Sequence, residues 1–128
     1  MAGITALDAD AIRAELHESA AFELPFEPSV PDCDRDSFLQ LLSMIFVMFK
    51  KFEITITDIY DLVDPNILIA RYRSDAEGRD KPVSYQNEYI GIFRFADGKL
   101  TFWREYANPE ASHAAIAKFA DDAPAVSA

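Results

Sequence analysis

Cysteine, glycine and histidine are scarce in this chain, and each scarcity excludes a kind of chemistry. One cysteine among 128 residues leaves no partner for a disulfide within the chain. The four glycines form neither a phosphate-binding loop nor a dinucleotide fingerprint. The two histidines are isolated and lack the spacing of metal ligands. The sequence therefore predicts no nucleotide cofactor and no metal.

Basic residues are also few, with 12 Lys and Arg against 22 Asp and Glu and a formal net charge of −10. Nucleic acids and anionic membranes attract clustered Lys and Arg, so we predict neither as a partner. The longest apolar run covers residues 44–49, whereas a membrane helix needs roughly 20 apolar residues. The first residues lack the pattern of a secretion signal, so we expect a cytoplasmic protein.

The first third of the chain is helical in pattern. Asp8 can cap a short helix that extends to about His17. A second helix, capped by Asp34 or Asp36, extends to about Phe52 and is apolar on all but one stripe. This breadth of apolar surface predicts that a sheet or another subunit covers the second helix.

From residue 53 onwards, apolar and polar residues alternate as they do in half-buried strands. Four strands are predicted, near 54–63, 66–74, 83–96 and 99–107. Asp97 and Gly98 form a hairpin-turn signal, and Asn108 with Pro109 begins a closing helix. The pattern predicts an α+β fold in which helices cover one face of an antiparallel sheet. We expect a single domain over residues 1–120 and a disordered tail over 121–128.

The last predicted strand carries the best candidate for proton transfer. Strand alternation puts Trp103 and Glu105 on one face and Arg104 on the other. A carboxyl group enclosed beside aromatic rings has a raised pKa, which suits it to acid/base catalysis. The alternative is a structural hydrogen bond or an ion pair with Arg71 or Arg73.

The preceding strand supplies most of the predicted ligand pocket. Its residues on one face are Tyr85, Asn87, Tyr89, Gly91 and Phe93. Across the hairpin this face adjoins Trp103 and Glu105, so we predict a small-molecule site in which Tyr89 or Tyr85 stabilises an oxyanion. Asp58 can join the pocket, unless a bulge turns it towards solvent. The competing interpretation is that these aromatic residues simply fill the core.

The order of motifs along the chain resembles the SnoaL-like branch of the nuclear transport factor two-like superfamily. The segments that carry the resemblance are Ala-Phe-Glu-Leu-Pro-Phe at 21–26, the stretch 85–100 and Arg-Glu-Tyr-Ala-Asn-Pro at 104–109. The last segment resembles the closing strand of phenazine-biosynthesis A/B proteins, which implies an acid/base role for Glu105. The resemblance also implies a cone-shaped, cystatin-like mixed sheet around helices, with Leu24 at a ligand cavity.

The chain departs from ketosteroid isomerases, which it also resembles, at two positions that matter for catalysis. Those enzymes have aspartates where Leu24 and Gly91 stand here, and the shorter first helix lacks the position of their pocket tyrosine. We therefore expect a different reaction, by a cofactor-independent cyclase, isomerase, dehydratase or condensation catalyst. The alternative is a non-catalytic small-ligand binder or a dimerisation module.

The opposite face of the predicted sheet is apolar enough to need cover. Ile90 and Ile92 share this face with Leu100 and Phe102 of the next strand. The resemblance implies a dimer through the same outer sheet face. We therefore predict a homodimer.

Overall fold

The computed structural model describes residues 7–121, which form three helices and six strands. In chain order the elements are α1 (Ala9–Glu15), β1 (Leu16–Glu23), β2 (Cys33–Asp34), α2 (Arg35–Met48), β3 (Phe49–Asp61), β4 (Ile67–Gly78), β5 (Ser84–Ala96), β6 (Lys99–Ala107) and α3 (Pro109–Asp121). The predicted α+β class is confirmed. The predicted tail, beyond its first residue, lies outside the described residues.

Each helix begins at a side-chain cap that the sequence indicates. The carboxylate of Asp8 accepts hydrogen bonds from the backbone of Asp10 and Ala11, each at 3.1 Å. Asp34 accepts one from the backbone of Ser37 at 2.9 Å. The backbone of Glu110 donates to Asn108 at 3.0 Å. These bonds satisfy amide groups that the first turn of a helix leaves without partners.

Helix α2 ends at Met48, and the prediction that it extends to about Phe52 is wrong. The guanidinium of Arg79 donates to the carbonyl oxygens of Phe46 and Phe49, each at 3.0 Å. A helix end that finds such partners can stop there, because its last carbonyl groups are satisfied. The apolar sequence then continues as β3.

The sheet has the strand order β2-β1-β6-β5-β4-β3. Strands β3 to β6 form the predicted antiparallel meander. Strand β1 pairs parallel with β6 and places Phe22 opposite Trp103, so the sheet is mixed. Strand β1 begins at Leu16, which corrects the prediction that the first helix extends to His17.

Two bulges change which face a side chain occupies. The β5–β6 register shifts at Thr101, so Leu100 is 9% exposed and does not share the outer face with Phe102 as predicted. The β3–β4 register shifts between Ile56 and Asp58. Strand alternation reverses at a bulge because an extra residue is inserted in one strand.

Helices α1 and α2 cover one face of the sheet, here called the inner face. Phe38 of α2 stacks on Phe22 of β1 with ring centroids 3.8 Å apart, and lies 5.5 Å from the ring of Trp103. Phe119 of α3 packs edge-on against Phe49 at 5.2 Å. Within residues 7–121, no helix has the length and apolar character needed to cross a membrane.

Candidate active site

Strand register places Glu105 in the middle of the inner face. Glu105 on β6 lies opposite Gly91 on β5, and Gly91 lies opposite Ala70 on β4. On one side of this row Trp103 pairs with Phe93. The structure thus brings together the predicted strand faces of β5 and β6.

Glu105 is held by a tyrosine of a strand that does not adjoin its own. The hydroxyl of Tyr72, on β4, donates a hydrogen bond to Oε2 of Glu105. The indole Nε1 of Trp103 donates to the same hydroxyl at 3.1 Å. Tyr72 is only 2% exposed, whereas Glu105 is partly exposed. Tyr72 therefore fixes the carboxyl group from its buried side, while part of the surface of Glu105 stays exposed.

Gly91 provides the space for this contact. Strand β5 lies between β4 and β6, so these two strands are roughly 9 to 10 Å apart, which is twice the spacing of neighbouring strands. A Cβ atom at Gly91 would lie 2.9 Å from the hydroxyl of Tyr72 and 2.6 Å from the ring of Phe93. Because glycine lacks that atom, the tyrosine passes over β5 and reaches Glu105.

Burial controls the ionisation of the cluster. Loss of hydration raises the pKa of Glu105 to about 7, although the hydrogen bond from Tyr72 acts in the opposite direction. Burial also raises the pKa of Tyr72, and the adjacent carboxylate raises it further. The pKa of Tyr89 is raised mainly by burial. Near neutral pH the carboxyl group can therefore exist in both forms while the phenols stay protonated.

A second network of hydrogen-bonded polar groups lies beside the cluster of Glu105, Tyr72 and Trp103. The hydroxyl of Tyr89 is hydrogen-bonded to Ser74 at 2.8 Å and to the hydroxyl of Tyr85 at 3.0 Å. The amide of Asn87 donates to Tyr85 at 2.8 Å and to the carbonyl of Asn108 at 3.0 Å. The rings of Tyr72 and Tyr89 stack at 5.0 Å. The second network thus contacts the Glu105 cluster through this ring pair.

The predicted residues occupy different places relative to Glu105. Tyr89 stacks on the tyrosine that binds Glu105, but its hydroxyl is bonded to Ser74 and Tyr85. Glu23 pairs with Arg104 in the parallel register of β1 and β6. Leu24 directly follows the last residue of β1 and is half-buried, and its place in a ligand pocket stays a prediction.

The prediction of Asp58 as a pocket residue is wrong. The bulge in β3 puts its carboxylate 3.6 Å from the guanidinium of Arg71, and both side chains are largely exposed. Arg71 and Arg73 lie on the outer face of β4, which explains why neither forms the ion pair considered for Glu105. Tyr72 takes that place because it alternates with them onto the inner face.

Tyr72 and Ser74 are functional candidates that were not among the residues predicted for the site. Both lie on the inner face of β4 with Ala70 and Ala76. The sequence shows their strand alternation, because these four residues alternate with the charged residues Arg71, Arg73, Asp75 and Glu77. The contact between Tyr72 and Glu105 carries no local signal, because 32 residues separate the two along the chain.

Two other features bear on ligand binding. An open groove of about 490 Å³ is lined by Arg73, Asp75, Gln86 and Glu88, and Glu105 is not among its lining residues. Across residues 7–121, no group of three or more His, Cys, Asp or Glu side chains is arranged to hold a metal ion. The aromatic environment and raised pKa of Glu105 make it the better candidate for chemistry.

A mixed sheet with helices on its inner face, and a carboxyl group among aromatic rings there, define an α+β cone of the nuclear transport factor two-like type. The sequence profile of the SnoaL-like domain matches residues 1–103. The chain therefore belongs to the SnoaL-like domain family.

Known proteins agree with this assignment. The chain is 25% identical over 95 residues to the uncharacterized protein YesE of Bacillus subtilis; the match covers 72% of this chain and 65% of YesE, less than two thirds of that relative. BvnE pinacolase of Penicillium brevicompactum has a similar structure, with a TM-score of 0.81 at 16% identity, covering 94% and 85% of the two chains.

A phenazine biosynthesis-related protein of Pseudomonas aeruginosa is also similar in structure. Its TM-score is 0.71 at 18% identity, and the match covers 86% of this chain and 72% of the other. Identities at this level show a shared fold. The resemblance that the sequence motifs indicate is confirmed at the level of family and fold.

Proposed function

We propose that the protein is a cofactor-independent enzyme of small-molecule metabolism in which Glu105 accepts and returns a proton. One observation carries the proposal: Tyr72 holds the carboxyl group of Glu105 among aromatic rings, in a partly exposed residue whose pKa burial raises to about 7. A general acid/base is most effective when its pKa is near the working pH. Isomerisation, cyclisation and dehydration of carbonyl compounds all need such a group.

The charge of the inner face favours an uncharged substrate. The residues that face inwards on β4 and β5 include Ala70, Tyr72, Ser74, Ala76, Tyr85, Asn87, Tyr89 and Phe93, and none is cationic. A carboxylate or phosphate on the substrate would meet the carboxylate of Glu105 without a nearby counter-ion, which costs free energy in a partly buried site. We therefore expect a small neutral molecule with an acidic C–H bond beside a carbonyl group.

The names of similar proteins support a role in small-molecule chemistry without selecting a reaction. One is called a pinacolase and another is related to phenazine biosynthesis. One fold can host many activities, so the proposal depends on the site of this chain.

Proton exchange tests the proposal without knowledge of the natural substrate. A panel of neutral 1,3-diketones and cyclohexenones is incubated with the protein in D₂O, and exchange of the acidic C–H is followed by proton NMR. We expect the wild type to accelerate exchange for at least one probe, and Glu105→Gln to lose about 10²-fold or more of that rate. Glu77→Gln, at an exposed site on β4, is the matched control and should keep it.

Binding of the same probes separates catalysis from simple recognition. Line broadening should show that Glu105→Gln still binds the probe whose exchange it no longer accelerates. If the wild type binds probes but accelerates none, the protein is a non-catalytic binder. Equal exchange rates for the wild type and Glu105→Gln would also contradict the proposal.

We further propose that the outer sheet face forms a homodimer interface. Tyr60 and Ile90 are 47% and 45% exposed there, and Ile69, Ile92 and Phe102 keep part of their surface exposed. An apolar patch of this kind is usually covered by a partner, and a second copy is the partner that the family resemblance implies. A cytoplasmic location, predicted from the sequence, completes the proposal.

A further inference from the structure

We propose that Trp103 and Tyr72 are positioning residues that fix the ionisable proton of Glu105 on Oε1, the oxygen open to a ligand. The use of this proton in catalysis rests on the function proposed above. Its location can be measured on the protein alone, without a substrate.

The first step is the direction of the hydrogen bonds. An indole nitrogen can only donate, so the oxygen of Tyr72 accepts the bond from Trp103. A phenol has one proton to donate. Among the described residues the acceptor in reach of Tyr72 is Oε2 of Glu105. Trp103 therefore directs the tyrosine proton towards Oε2.

The second step concerns the protonated state of Glu105. A proton on Oε2 that points at Tyr72 would oblige the oxygen of Tyr72 to accept two bonds and would leave the tyrosine proton without an acceptor. Tyr72 is 2% exposed, so water does not replace that acceptor. Such an unsatisfied buried donor is unfavourable. A proton on Oε2 that points away would leave Tyr72 a hydroxyl oxygen, which accepts hydrogen bonds more weakly than a carbonyl oxygen. The proton on Glu105 is therefore favoured on Oε1.

The third step is access to Oε1. Within residues 7–121 this oxygen has no hydrogen-bond partner, and it is not among the fully buried atoms that lack one. Glu105 is also partly exposed. Oε1 is thus the oxygen through which a proton can pass to or from a ligand, while Oε2 stays committed to Tyr72.

Infrared spectroscopy tests this assignment. The C=O stretch of protonated Glu105 is measured below pH 7 and assigned by its loss in Glu105→Gln. If Oε2 is the carbonyl oxygen and accepts from Tyr72, Tyr72→Phe should move the band to higher frequency. The same change should raise the pKa of Glu105, because the donor that stabilises the carboxylate is lost.

A matched control and a second variant complete the experiment. Tyr89→Phe also removes a buried phenol hydroxyl, from the ring stacked on Tyr72, and should leave the band and the pKa unchanged. Trp103→Phe should shift both in the same direction as Tyr72→Phe but by less. It should have no further effect once Tyr72 is already phenylalanine. Because Trp103→Phe retains Tyr72, it carries the test if Tyr72→Phe does not fold.

Two results would overturn the inference. The first is a C=O band that does not move to higher frequency in Tyr72→Phe, or in Trp103→Phe if Tyr72→Phe does not fold. The second is an effect of Trp103→Phe that is the same with and without Tyr72. Neither result depends on turnover. The proton-exchange assay of Glu105→Gln decides the proposed function separately, so the two proposals can fail independently.

Discussion

Replacing Glu105 by glutamine should change how the stability of the protein depends on pH. Burial favours the protonated carboxyl in the fold, so its contribution is fully present below the unfolded pKa near 4.5 and is lost as the pH rises through about 7. Because the unfolded chain releases this proton more readily than the folded state, stability relative to low pH is lower by about 1 kcal/mol at about pH 5.5 and by about 3 kcal/mol at about pH 8. Glutamine stays neutral and avoids this cost, and its oxygen can still accept from Tyr72.

The stability of Glu105→Gln relative to the wild type should therefore increase by about 2 kcal/mol between these two pH values. Urea unfolding, followed by the fluorescence of the single tryptophan, Trp103, measures this difference at one fixed protein concentration. Both pH values lie above the pI of about 4.5, so the protein stays negatively charged. The control Glu77→Gln should have the same free energy of unfolding as the wild type at both pH values. If the difference between Glu105→Gln and the wild type is constant with pH, the carboxyl is not desolvated as described.

Three further substitutions test other parts of the structure. Gly91→Ala should lower the free energy of unfolding by about 1–3 kcal/mol, because the new methyl group crowds Tyr72 and Phe93; a thermal midpoint equal to that of the wild type would disagree. Ile90→Glu should convert the proposed dimer to monomers in analytical ultracentrifugation, whereas Ile116→Glu, on the exposed side of α3, should not. Asn87→Ala should cost about 2 kcal/mol in urea unfolding, since the backbone N–H of Asn108 loses its side-chain acceptor and the carbonyl of Asn108 loses one of its donors; a loss below about 0.5 kcal/mol would contradict that role.

Local patterns were sufficient for most of the fold. Helix caps at Asp8 and Asn108 and the turn at Asp97 and Gly98 are decided by neighbouring residues. Both turn residues have positive φ values, as the preferred two-residue hairpin turn requires. The end of α2 could not be located in this way, because the cap that ends it comes from Arg79, far along the chain.

The candidate site was predictable only in part, for a similar reason. Strand alternation placed Trp103 and Glu105 together and put Arg104 on the other face, and the structure agrees. Bulges reversed the alternation at Leu100 and Asp58, and a bulge depends on pairing with the neighbouring strand. The partner of Glu105 depends on the sheet order, which brings β4 within reach across Gly91.

The parallel pairing of β1 with β6 has a consequence for synthesis on the ribosome. Phe22 finds its strand partner, Trp103, only after most of the chain has been made. Closing a loop of that length costs conformational entropy, and contacts between residues so distant in sequence form slowly. The β3–β6 meander can therefore form before β1 pairs with β6. The edge of the sheet next to Glu105 is then among the last parts to close. During translation, a chaperone that binds exposed apolar segments would therefore act mainly on the residues of β1.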